Sequence, residues 1–372
     1  MRIAIDGRFW GLVNTGIGRY LVNLVKWLAV LDTKNQYWLF LNKEGWRDFN
    51  LPNERWHKVR LDVPHYSIRE QFVLPITLSR VRPDILHVPH FNVPIFWPGR
   101  MVVTIHDLLW HEWRGGNATT LSPFIYWFKY LGFKVVFAAA VSKAKKILVP
   151  SNWVKNELVR RFATADGKVE VTYEGVDEGL ITGSGVKIDV LKKYGLRRER
   201  YLLYVGNIYP HKNLETLLEA MKGVDKALGL VVVCGRDLFQ ERLKEMVRLA
   251  GLERRVKWLG FVEDRDLAKL YKGAVAFVFP SLSEGFGLPG LEAMATGVPV
   301  IAARATSLPE VLGESVVYFS GRDSEDLRKK IEQVVRDVKL RRRLAEEGKR
   351  WVKRYSWRRM AEETLRVYEK AG

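Results

Sequence analysis

Short apolar runs alternate with longer amphipathic segments along almost the whole 372-residue chain. Such runs predict buried strands, and the segments between them predict helices that cover a sheet. In the first half the predicted strands are residues 3–6, 37–41, 85–88, 101–105 and 147–150, with an amphipathic helix at residues 16–31. In the second half they are residues 201–205, 230–234, 256–259, 275–279, 298–302 and 316–319, with helices beginning near Asn213, Phe239, Asp264, Gly290, Ser307 and Ser324. This alternation indicates an α/β protein with parallel sheets covered on both faces.

The chain is longer than one hydrophobic core usually organises, so two domains are predicted. Composition changes at residues 174–185, which are rich in Gly, Ser, Thr and acidic residues, and we place the interdomain linker there. The predicted domains are residues 1–178 and 179–355, each a doubly wound, Rossmann-like sheet. Facing each other, they would form a ligand cleft at the carboxyl ends of their strands.

Composition favours a soluble globular protein, with 47% hydrophobic residues and a mean hydropathy of −0.13. No apolar run reaches the roughly 20 residues of a membrane span, and residues 1–6 are predicted to be a strand and not a signal peptide. The single cysteine, Cys234, is expected to be a buried small side chain. It excludes an intramolecular disulfide and a Cys-rich metal site, which favours a cytoplasmic location.

The net charge of +19 could indicate nucleic acid, an anionic membrane surface or acidic substrates as partners. The basic residues are spread along the chain, and the longest clusters, residues 339–343 and 349–359, are interleaved with acids. A solvated, thermally robust surface is therefore the first interpretation, and membrane association is the second. Nucleic-acid binding comes last, because no recognition motif or localised basic stripe supports it.

One strand–turn–helix stretch, residues 279–292, carries most of the candidate chemistry. Pro289 suits a first helical position, the glycines let the backbone approach a ligand closely, and the unpaired amides of the helix start attract phosphate. Glu284 and Glu292 bracket the turn, and each carboxylate can accept hydrogen bonds from a pair of sugar hydroxyls. A phosphate between two polyols is the layout of a nucleotide sugar. The alternative is an ordinary strand–turn–helix with solvated glutamates.

This stretch resembles the signature of the retaining GT-B glycosyltransferases of family 4, with seven residues between its two glutamates and Gly-Phe-Gly-Leu-Pro inside. The resemblance covers essentially the whole chain. It implies that Glu284 contacts the transferred sugar and that Glu292 contacts the nucleotide ribose. It also implies that the amides of Phe286, Gly287 and Leu288 meet the sugar and the diphosphate.

In the N-terminal half, Gly16 lies at a strand-to-helix turn where a phosphate could approach the backbone, although a plain turn is an equal alternative. In the family, the equivalent loop closes over the donor phosphates or the acceptor. His106 and Asp107 follow an apolar strand, at the sheet edge where functional side chains collect. The resemblance implies that His106 contacts the transferred sugar and places its backbone carbonyl near the reacting carbon. Asp107 would orient His106 or cap the next turn.

Further histidines lie near this motif in the sequence. Together with Asp107, they are candidates for lining the acceptor pocket: His87, His90 and His111. A lone histidine is more often structural, and these residues lack the ligand spacing of a zinc site.

In the C-terminal half, Lys212 lies at a helix start, where its charge adds to the backbone amides and suits a diphosphate. Asn207 stands where the family pattern has an arginine, so it can contact the donor substrate by hydrogen bonds but brings no positive charge. Val262 belongs to the loop that, by resemblance, meets the nucleobase through backbone atoms. Asp264-Arg265-Asp266 mimics a metal-binding Asp-x-Asp motif, but it is better explained as a helix start with acids in the first turn. We assign no metal and no cofactor, and expect the closing segment 356–372 to be a helix that crosses back to the N-terminal domain, as in the family.

An aromatic and basic segment begins at Pro123 and is predicted to be a helix. Such a helix can lie in a lipid interface, although packing against the sheet is the more conservative interpretation. Family 4 enzymes often modify lipid-linked acceptors, so peripheral contact with an anionic membrane, at the inner face of the cell membrane, stays a hypothesis.

The predicted activity is a retaining, metal-independent hexosyl transfer in which Lys212, Glu284 and His106 are the catalytic candidates. Residues 1–8, 15–20, 66–71 and 204–213 look like those of mannosyltransferases of polysaccharide or glycolipid assembly, which favours GDP-mannose as donor and a glycan or lipid-linked acceptor. A UDP-hexose donor is the first alternative. Epimerases and phosphorolytic enzymes of the same architecture, and a basic nucleic-acid-binding protein, are the others.

Overall fold

The computed structural model describes residues 1–11, 15–109, 123–177, 188–235 and 240–372. The chain divides into two compact units. The first unit consists of Met1–Gly175 together with Ser356–Gly372, and the second consists of Val176–Tyr355. Each contains one parallel sheet with helices on its faces, so the predicted α/β class with two such sheets is confirmed.

The sheet of the first unit has seven strands in the order β3-β2-β1-β4-β5-β6-β7. Its strands are β1 (Arg2–Asp6), β2 (Gln36–Leu41), β3 (Trp56–Arg60), β4 (Ile85–Val88), β5 (Met101–Thr104), β6 (Lys146–Val149) and β7 (Val169–Val171). Every neighbouring pair is parallel, and Ile5 of β1 lies between Leu39 of β2 and His87 of β4. The strands β4 and β5 are buried along their whole length. Packing on both faces of the sheet therefore holds the carboxyl ends of these strands in place.

Helices cover both faces of this sheet. They are α1 (Thr15–Leu31), α2 (Lys43–Asp48), α3 (Glu70–Val81), α4 (Pro123–Lys143), α5 (Asn152–Arg161) and, from the end of the chain, the helix Trp357–Ala371. The last helix packs beside α1 and against β5 and β6. The other face is covered by α3 and α4, whose Leu74, Leu78, Phe133 and Phe137 belong to one apolar core with the strands.

The sheet of the second unit has six parallel strands in the order β10-β9-β8-β11-β12-β13. The strands are β8 (Tyr201–Val205), β9 (Gly229–Val233), β10 (Val256–Leu259), β11 (Ala276–Phe279), β12 (Val300–Ala303) and β13 (Val317–Phe319). The helices of this unit are α6 (Ile188–Lys193), α7 (Leu214–Gly223), α8 (Gln240–Leu249), α9 (Asp264–Gly273), α10 (Leu288–Thr296), α11 (Leu308–Leu312), α12 (Ser324–Arg336) and α13 (Val338–Trp351); the helix of the last segment is α14 (Trp357–Ala371). The strand order reverses direction between β8 and β11, which is where ligands bind in open parallel sheets.

Most of the predicted elements are present, and the differences have physical causes. Edge strand β3 was missed, because Trp56–Arg60 carries polar side chains that an edge position tolerates. The motif Asp264-Arg265-Asp266 begins α9, as predicted, and Asp266 pairs with Lys193 at 2.9 Å. Cys234 is buried, also as predicted. Across the segments that the structure describes, no helix has the length and apolar character that a bilayer crossing requires.

Within the first unit, Gly175 leaves no room for a side chain where the chain meets α14. A Cβ atom there would lie 2.2 Å from the backbone nitrogen of Trp357 and 2.7 Å from the carbonyl carbon of Ser356. We expect Gly175→Ala to destabilise the first unit by about 1–3 kcal/mol, because backbone atoms of α14 would have to move. Thermal unfolding checks this expectation.

The matched control is Gly132→Ala in α4, where a Cβ would meet no atom within 4 Å. This substitution should leave the unfolding temperature unchanged or raise it, because alanine favours a helix over glycine by about 1 kcal/mol. Equal unfolding temperatures for Gly175→Ala and the unsubstituted protein would contradict the proposed close packing.

Candidate active site

The stretch that carries the two glutamates follows β11, a strand that lies between β8 and β12. The chain turns after Phe279, and α10 begins at Leu288 with Pro289 in its first turn, as its residue type predicts. Gly287 has φ +107°, and a Cβ on it would lie 2.8 Å from Leu308 Cδ2. Only glycine therefore fits at the start of this helix. Gly290 N donates to Gly287 O at 3.1 Å, which closes the first turn of α10.

Lys212 and Glu284 come from loops after different strands, and the structure brings them together. Lys212 Nζ lies 2.7 Å from Glu284 Oε1, and the two side chains are 19% and 13% exposed. The two loops are joined by the backbone, because Leu282 N donates to His211 O at 2.8 Å. Two of the three predicted catalytic residues therefore form one ion pair at the carboxyl edge of the second sheet.

Three polar residues that sequence analysis missed hold these loops in place. Asn213, at φ +56°, donates from its side-chain amide to Pro280 O and Gly321 O. Thr306 Oγ1 accepts from Glu284 N at 3.0 Å, and Ser307 Oγ donates to Glu284 O at 2.9 Å. The amide and the carbonyl of Glu284 are thus both fixed by residues that follow β12. The sequence signal was a pair of hydroxyl residues at the end of a buried strand.

Glu292 lies within α10 and is buried, with Tyr271 Oη donating to its Oε2 at 3.2 Å. Tyr271 comes from α9, and its Oη also lies 3.3 Å from Pro289 O, so it contacts both the carboxylate and the start of α10. This contact was not foreseen, because a tyrosine in an amphipathic helix carries no distinctive signal.

The remaining predicted donor residues lie on the loops around this turn. Asn207 follows β8, and its carbonyl accepts from Tyr204 Oη at 2.5 Å. Val262, Phe286 and Leu288 are buried, and the Phe286 ring packs edge-on against Tyr355. Their side chains belong to the core, so a ligand would meet them through backbone atoms, as the resemblance implies.

In the first unit, His106 follows β5 and both of its ring nitrogens are engaged. Nε2 lies 3.1 Å from Pro89 O, and Nδ1 lies 3.1 Å from Glu174 Oε1. The Pro89 carbonyl only accepts, so Nε2 carries a hydrogen. The Tyr20 ring packs edge-on against the imidazole at 4.8 Å. The ring is therefore held from three sides, and Glu174, which sequence analysis did not single out, is its charged neighbour.

His87 lies deeper than the acceptor pocket for which it was a candidate. It is fully buried, with Nδ1 2.6 Å from Tyr368 Oη and Nε2 2.8 Å from Thr104 Oγ1. Burial, with a smaller effect of the nearby His106 charge, lowers the pKa of His87 to about 3. The ring thus joins β4 to α14 as a neutral group, and this burial does not favour an acceptor role.

The other acceptor candidates have different surroundings. His90 is buried, its Nδ1 accepts from Asn92 N at 3.2 Å, and burial lowers its pKa to about 3. Asp107 accepts from Leu109 N at 3.1 Å and so caps the next turn, one of the two roles predicted for it. Gly16 lies exposed in the first turn of α1. His111 lies outside the described residues.

A buried ionic cluster beside these histidines was also missed. Arg8 donates from Nε and Nη2 to both oxygens of Asp6, at 2.9 and 2.6 Å, and its Nη2 also contacts Glu70. The Glu70 carboxylate accepts further bonds from Asn92 and from the amide of Tyr66. Burial opposes the ionisation of Asp6, but the two-bond contact with Arg8 outweighs it and lowers the pKa of Asp6. The cluster ties the loops after β1 and β4 to the start of α3.

Within the described ranges, no group of three or more His, Cys, Asp or Glu side chains is arranged to hold a metal ion.

Comparison with known proteins identifies the fold and the family. The family model described as Glycosyl transferases group 1 matches residues 187–351, and the one described as Glycosyltransferase Family 4 matches residues 14–180. The O-antigen chain mannosyltransferase B of Escherichia coli is 29% identical over 95% of this chain and 96% of its own length. The serotype-specific mannosyltransferase WbdA of Escherichia coli is 31% identical over 76% of this chain and 36% of its own length. The Anabaena HepE structure in complex with UDP-glucose covers all of both chains with a TM-score of 0.78 at 17% identity.

The two parallel sheets and the similarity to this solved structure define a GT-B fold. The chain belongs to family 4 of the GT-B glycosyltransferases and is mannosyltransferase-like.

The buried histidine of β4 predicts how stability changes with pH. In the folded protein His87 stays neutral down to a pKa of about 3, whereas in the unfolded chain a histidine takes up a proton below a pKa of about 6.5. Between these values the unfolded state binds more protons, so His87 makes stability fall as the pH falls, by up to about 1.4 kcal/mol per pH unit. We expect the unfolding temperature of His87→Gln to depend less steeply on pH between about 7 and about 5.

Tyr368→Phe is the control, because it removes the hydrogen-bonding partner of His87 and leaves the histidine in place. It should lower the unfolding temperature at every pH and keep the steep pH dependence. A His87→Gln protein with the same slope as the unsubstituted protein would show that His87 does not contribute.

Proposed function

We propose that the protein transfers a mannosyl residue from GDP-mannose to a glycan or lipid-linked acceptor, with retention of anomeric configuration and without a metal ion. The observation that carries this proposal is the ion pair between Lys212 and Glu284 beside the first turn of α10. It joins a cation suited to a diphosphate and a carboxylate suited to sugar hydroxyls at one point. Mannose as the transferred sugar rests on the similarity to the two Escherichia coli mannosyltransferases.

The leaving group in this proposal is a nucleoside diphosphate. As the bond from the anomeric carbon to the phosphate oxygen breaks, negative charge develops on the diphosphate, and Lys212 with the amides of α10 stabilises it. Glu284, with its peptide fixed by Thr306 and Ser307, orients the sugar through its hydroxyls. Glu292, held by Tyr271, accepts from the ribose hydroxyls.

Retention follows if the acceptor oxygen attacks from the same face of the sugar that the phosphate leaves, with the departing phosphate oxygen taking the acceptor's proton. This route needs no covalent enzyme intermediate. His106 would contact the sugar through a ring that Pro89 and Glu174 hold in one orientation. The positive charge that a metal ion would otherwise supply to the diphosphate comes from Lys212 and the helix amides.

A UDP-hexose donor is the second candidate, and the observation that favours it is the complex of Anabaena HepE with UDP-glucose. Loops that meet a nucleobase through backbone atoms leave little trace of the base in their side chains. The nucleotide therefore has to be identified by binding.

The donor is tested by thermal unfolding with GDP, UDP, ADP and their sugar conjugates, each with and without magnesium. We expect GDP and GDP-mannose alone to raise the unfolding temperature, equally in both conditions, by an amount equivalent to about 2.7 kcal/mol at a hundredfold excess over Kd. Lys212→Ala should abolish the shift and lower mannosyl transfer at least about 100-fold. Glu284→Gln should lower the rate of transfer, while GDP still raises the unfolding temperature of this variant. NMR of the product made by the unsubstituted protein should show the same anomeric configuration as the donor.

Lys222→Ala, which removes an exposed lysine of α7, is the matched control and should behave like the unsubstituted protein. A shift with UDP alone would replace the proposed donor. Donor turnover without a glycosylated acceptor would favour an epimerase or phosphorolytic enzyme, and no shift with any nucleotide would refute the donor site.

Membrane contact by the first unit is a further part of the proposal. Phe72 and Ile76 are exposed four residues apart on α3, and Ile68, two residues before the helix, is exposed as well. Trp127, Leu131 and Val135 repeat this spacing on α4, and each is more than half exposed. Residues four apart lie on one face of a helix, so each helix presents an apolar stripe while its opposite side packs in the core.

The charges around these stripes are positive. The helix α4 contains lysines and no acidic residue, and Lys134 is exposed beside its stripe. The one acid of α3, Glu70, is buried against Arg8. The conservative interpretation, packing against the sheet, holds for Phe133 and Phe137 but not for the exposed stripe. An apolar surface with only basic neighbours suits an anionic lipid interface.

Sedimentation with phosphatidylglycerol-containing vesicles tests this contact. We expect Phe72→Ser, Trp127→Ser and Leu131→Ser in combination to lower the bound fraction at least about tenfold, because each large apolar side chain contributes about 1.5–3 kcal/mol when buried. A control with Leu51→Ser, Leu249→Ser and Val338→Ser removes exposed apolar residues elsewhere and should bind normally. Equal binding of the two triple variants would exclude the stripes as the contact.

A further inference from the structure

A concave, basic surface lies at the amino ends of β8, β9 and β10, on the opposite edge of the second sheet from Lys212 and Glu284. The first residues of the three strands, Tyr201, Gly229 and Val256, line it. The loops that carry Lys212 and Glu284, which we call the donor turn, follow the carboxyl ends of β8 and β11. A strand of this length separates the two edges by roughly 17 Å. The cavity volume is about 470 Å³, which is within the usual range for small-molecule sites.

Arginines and lysines dominate the lining of this surface, which we call the basic cleft. Its basic residues are Arg197, Arg200, Lys226, Arg254, Arg255 and Lys257, and Glu253 is the one carboxylate among its lining residues. All but Lys257, which belongs to β10, come from the segments before the three strands, so chain segments far apart in sequence converge on one concave surface. The field of such a surface attracts anions.

Two of the cations are built into the structure. The Arg255 guanidinium donates to the carbonyls of Met221 at 2.8 Å, Asp225 at 2.9 Å and Leu228 at 3.2 Å, and Lys257 donates to Tyr194 O. Burial lowers the pKa of Arg255, and the Asp225 charge only partly offsets this. The floor of the cleft is therefore a fixed, partly desolvated positive charge that is bonded to neutral carbonyls.

The other four cations of the cleft are exposed and have no ion-pair partner among the described residues. Among the residues that the structure describes, no carboxylate forms an ion pair with Arg197, Arg200, Lys226 or Arg254. Some cations on the helices of the same unit pair with acids one turn away, such as Lys244 with Glu241 and Arg248 with Glu245. What distinguishes the cleft is that its unpaired cations converge on one cavity.

We propose that the basic cleft is a second anion site, which binds a ligand with two or more adjacent phosphate groups. Guanidinium groups match phosphate oxygens with paired hydrogen bonds, and three exposed arginines line the same cleft as Arg255. The volume suits a polyphosphorylated small molecule or a phosphorylated lipid head group. The site is independent of the donor proposed above, because no residue of the cleft belongs to the donor turn.

Isothermal titration calorimetry with inorganic tripolyphosphate at fixed ionic strength tests this site. The full chain carrying Lys212→Ala is used, so that the donor turn does not add a second binding step. We expect Arg197→Gln, Arg200→Gln and Arg254→Gln in combination to weaken binding at least about tenfold, which corresponds to about 1.4 kcal/mol. Protection from hydrogen exchange should appear at residues 195–200 and 253–257.

The matched control removes the same number of exposed arginines from α13, by Arg342→Gln, Arg343→Gln and Arg350→Gln. It changes the net charge equally and should weaken binding less than about twofold, because long-range attraction is screened within about 10 Å at moderate salt. Equal losses in the two triple variants would show diffuse attraction and overturn the site.

A second arm, with phosphatidylcholine vesicles that contain phosphatidylinositol bisphosphate, separates the two sources of phosphate. Binding of tripolyphosphate that depends on the cleft arginines supports a soluble polyphosphate. Binding of the vesicles alone, with the same dependence, supports a lipid head group. Absence of cleft-dependent binding in both arms overturns the proposal, whatever the donor experiment shows.

Discussion

The ion pair between Lys212 and Glu284 is the contact on which the donor site depends, because it joins loops that follow two different strands. Both side chains are mostly shielded, so each charge would be costly without the other. Backbone and side-chain bonds from His211, Asn213, Thr306 and Ser307 hold the two loops in register. The polar site at the end of this parallel sheet is thus supported by loops on both sides. This support keeps a cation and a carboxylate in place for a ligand that carries both phosphate and hydroxyl groups.

The first unit contains two clusters of buried polar groups, one of neutral groups and one of paired opposite charges. His87, Thr104 and Tyr368 form a buried chain of hydrogen bonds from β4 to α14, while Arg8 bridges the carboxylates of Asp6 and Glu70. Buried polar groups are costly unless every member has a partner. Because the hydrogen-bonding groups within each cluster find their partners there, the clusters can fix the strand ends that His106 and its neighbours follow.

The second sheet carries basic side chains at both edges, for different physical reasons. At the carboxyl edge, a helix start and Lys212 favour negative charge. Glu284 supplies one such charge by pairing with Lys212. At the amino edge, Arg255 is bonded to carbonyls and the surrounding arginines lack acidic partners. Part of the net positive charge of the chain is therefore gathered in the basic cleft.

The sequence by itself determined the alternation of strands and helices, the start of α10 at the Gly-Phe-Gly-Leu-Pro turn and the membership in family 4. These follow from local periodicity, from proline and glycine geometry and from residue spacing, all of which act over a few neighbouring positions. Tertiary structure alone decided that Glu174 lies against His106, that His87 is buried against Tyr368, and that Tyr271 holds Glu292. It also decided that loops before three strands make one basic surface. Parallel strands bring residues far apart in sequence to the same sheet edge, and no local pattern records which of them become neighbours.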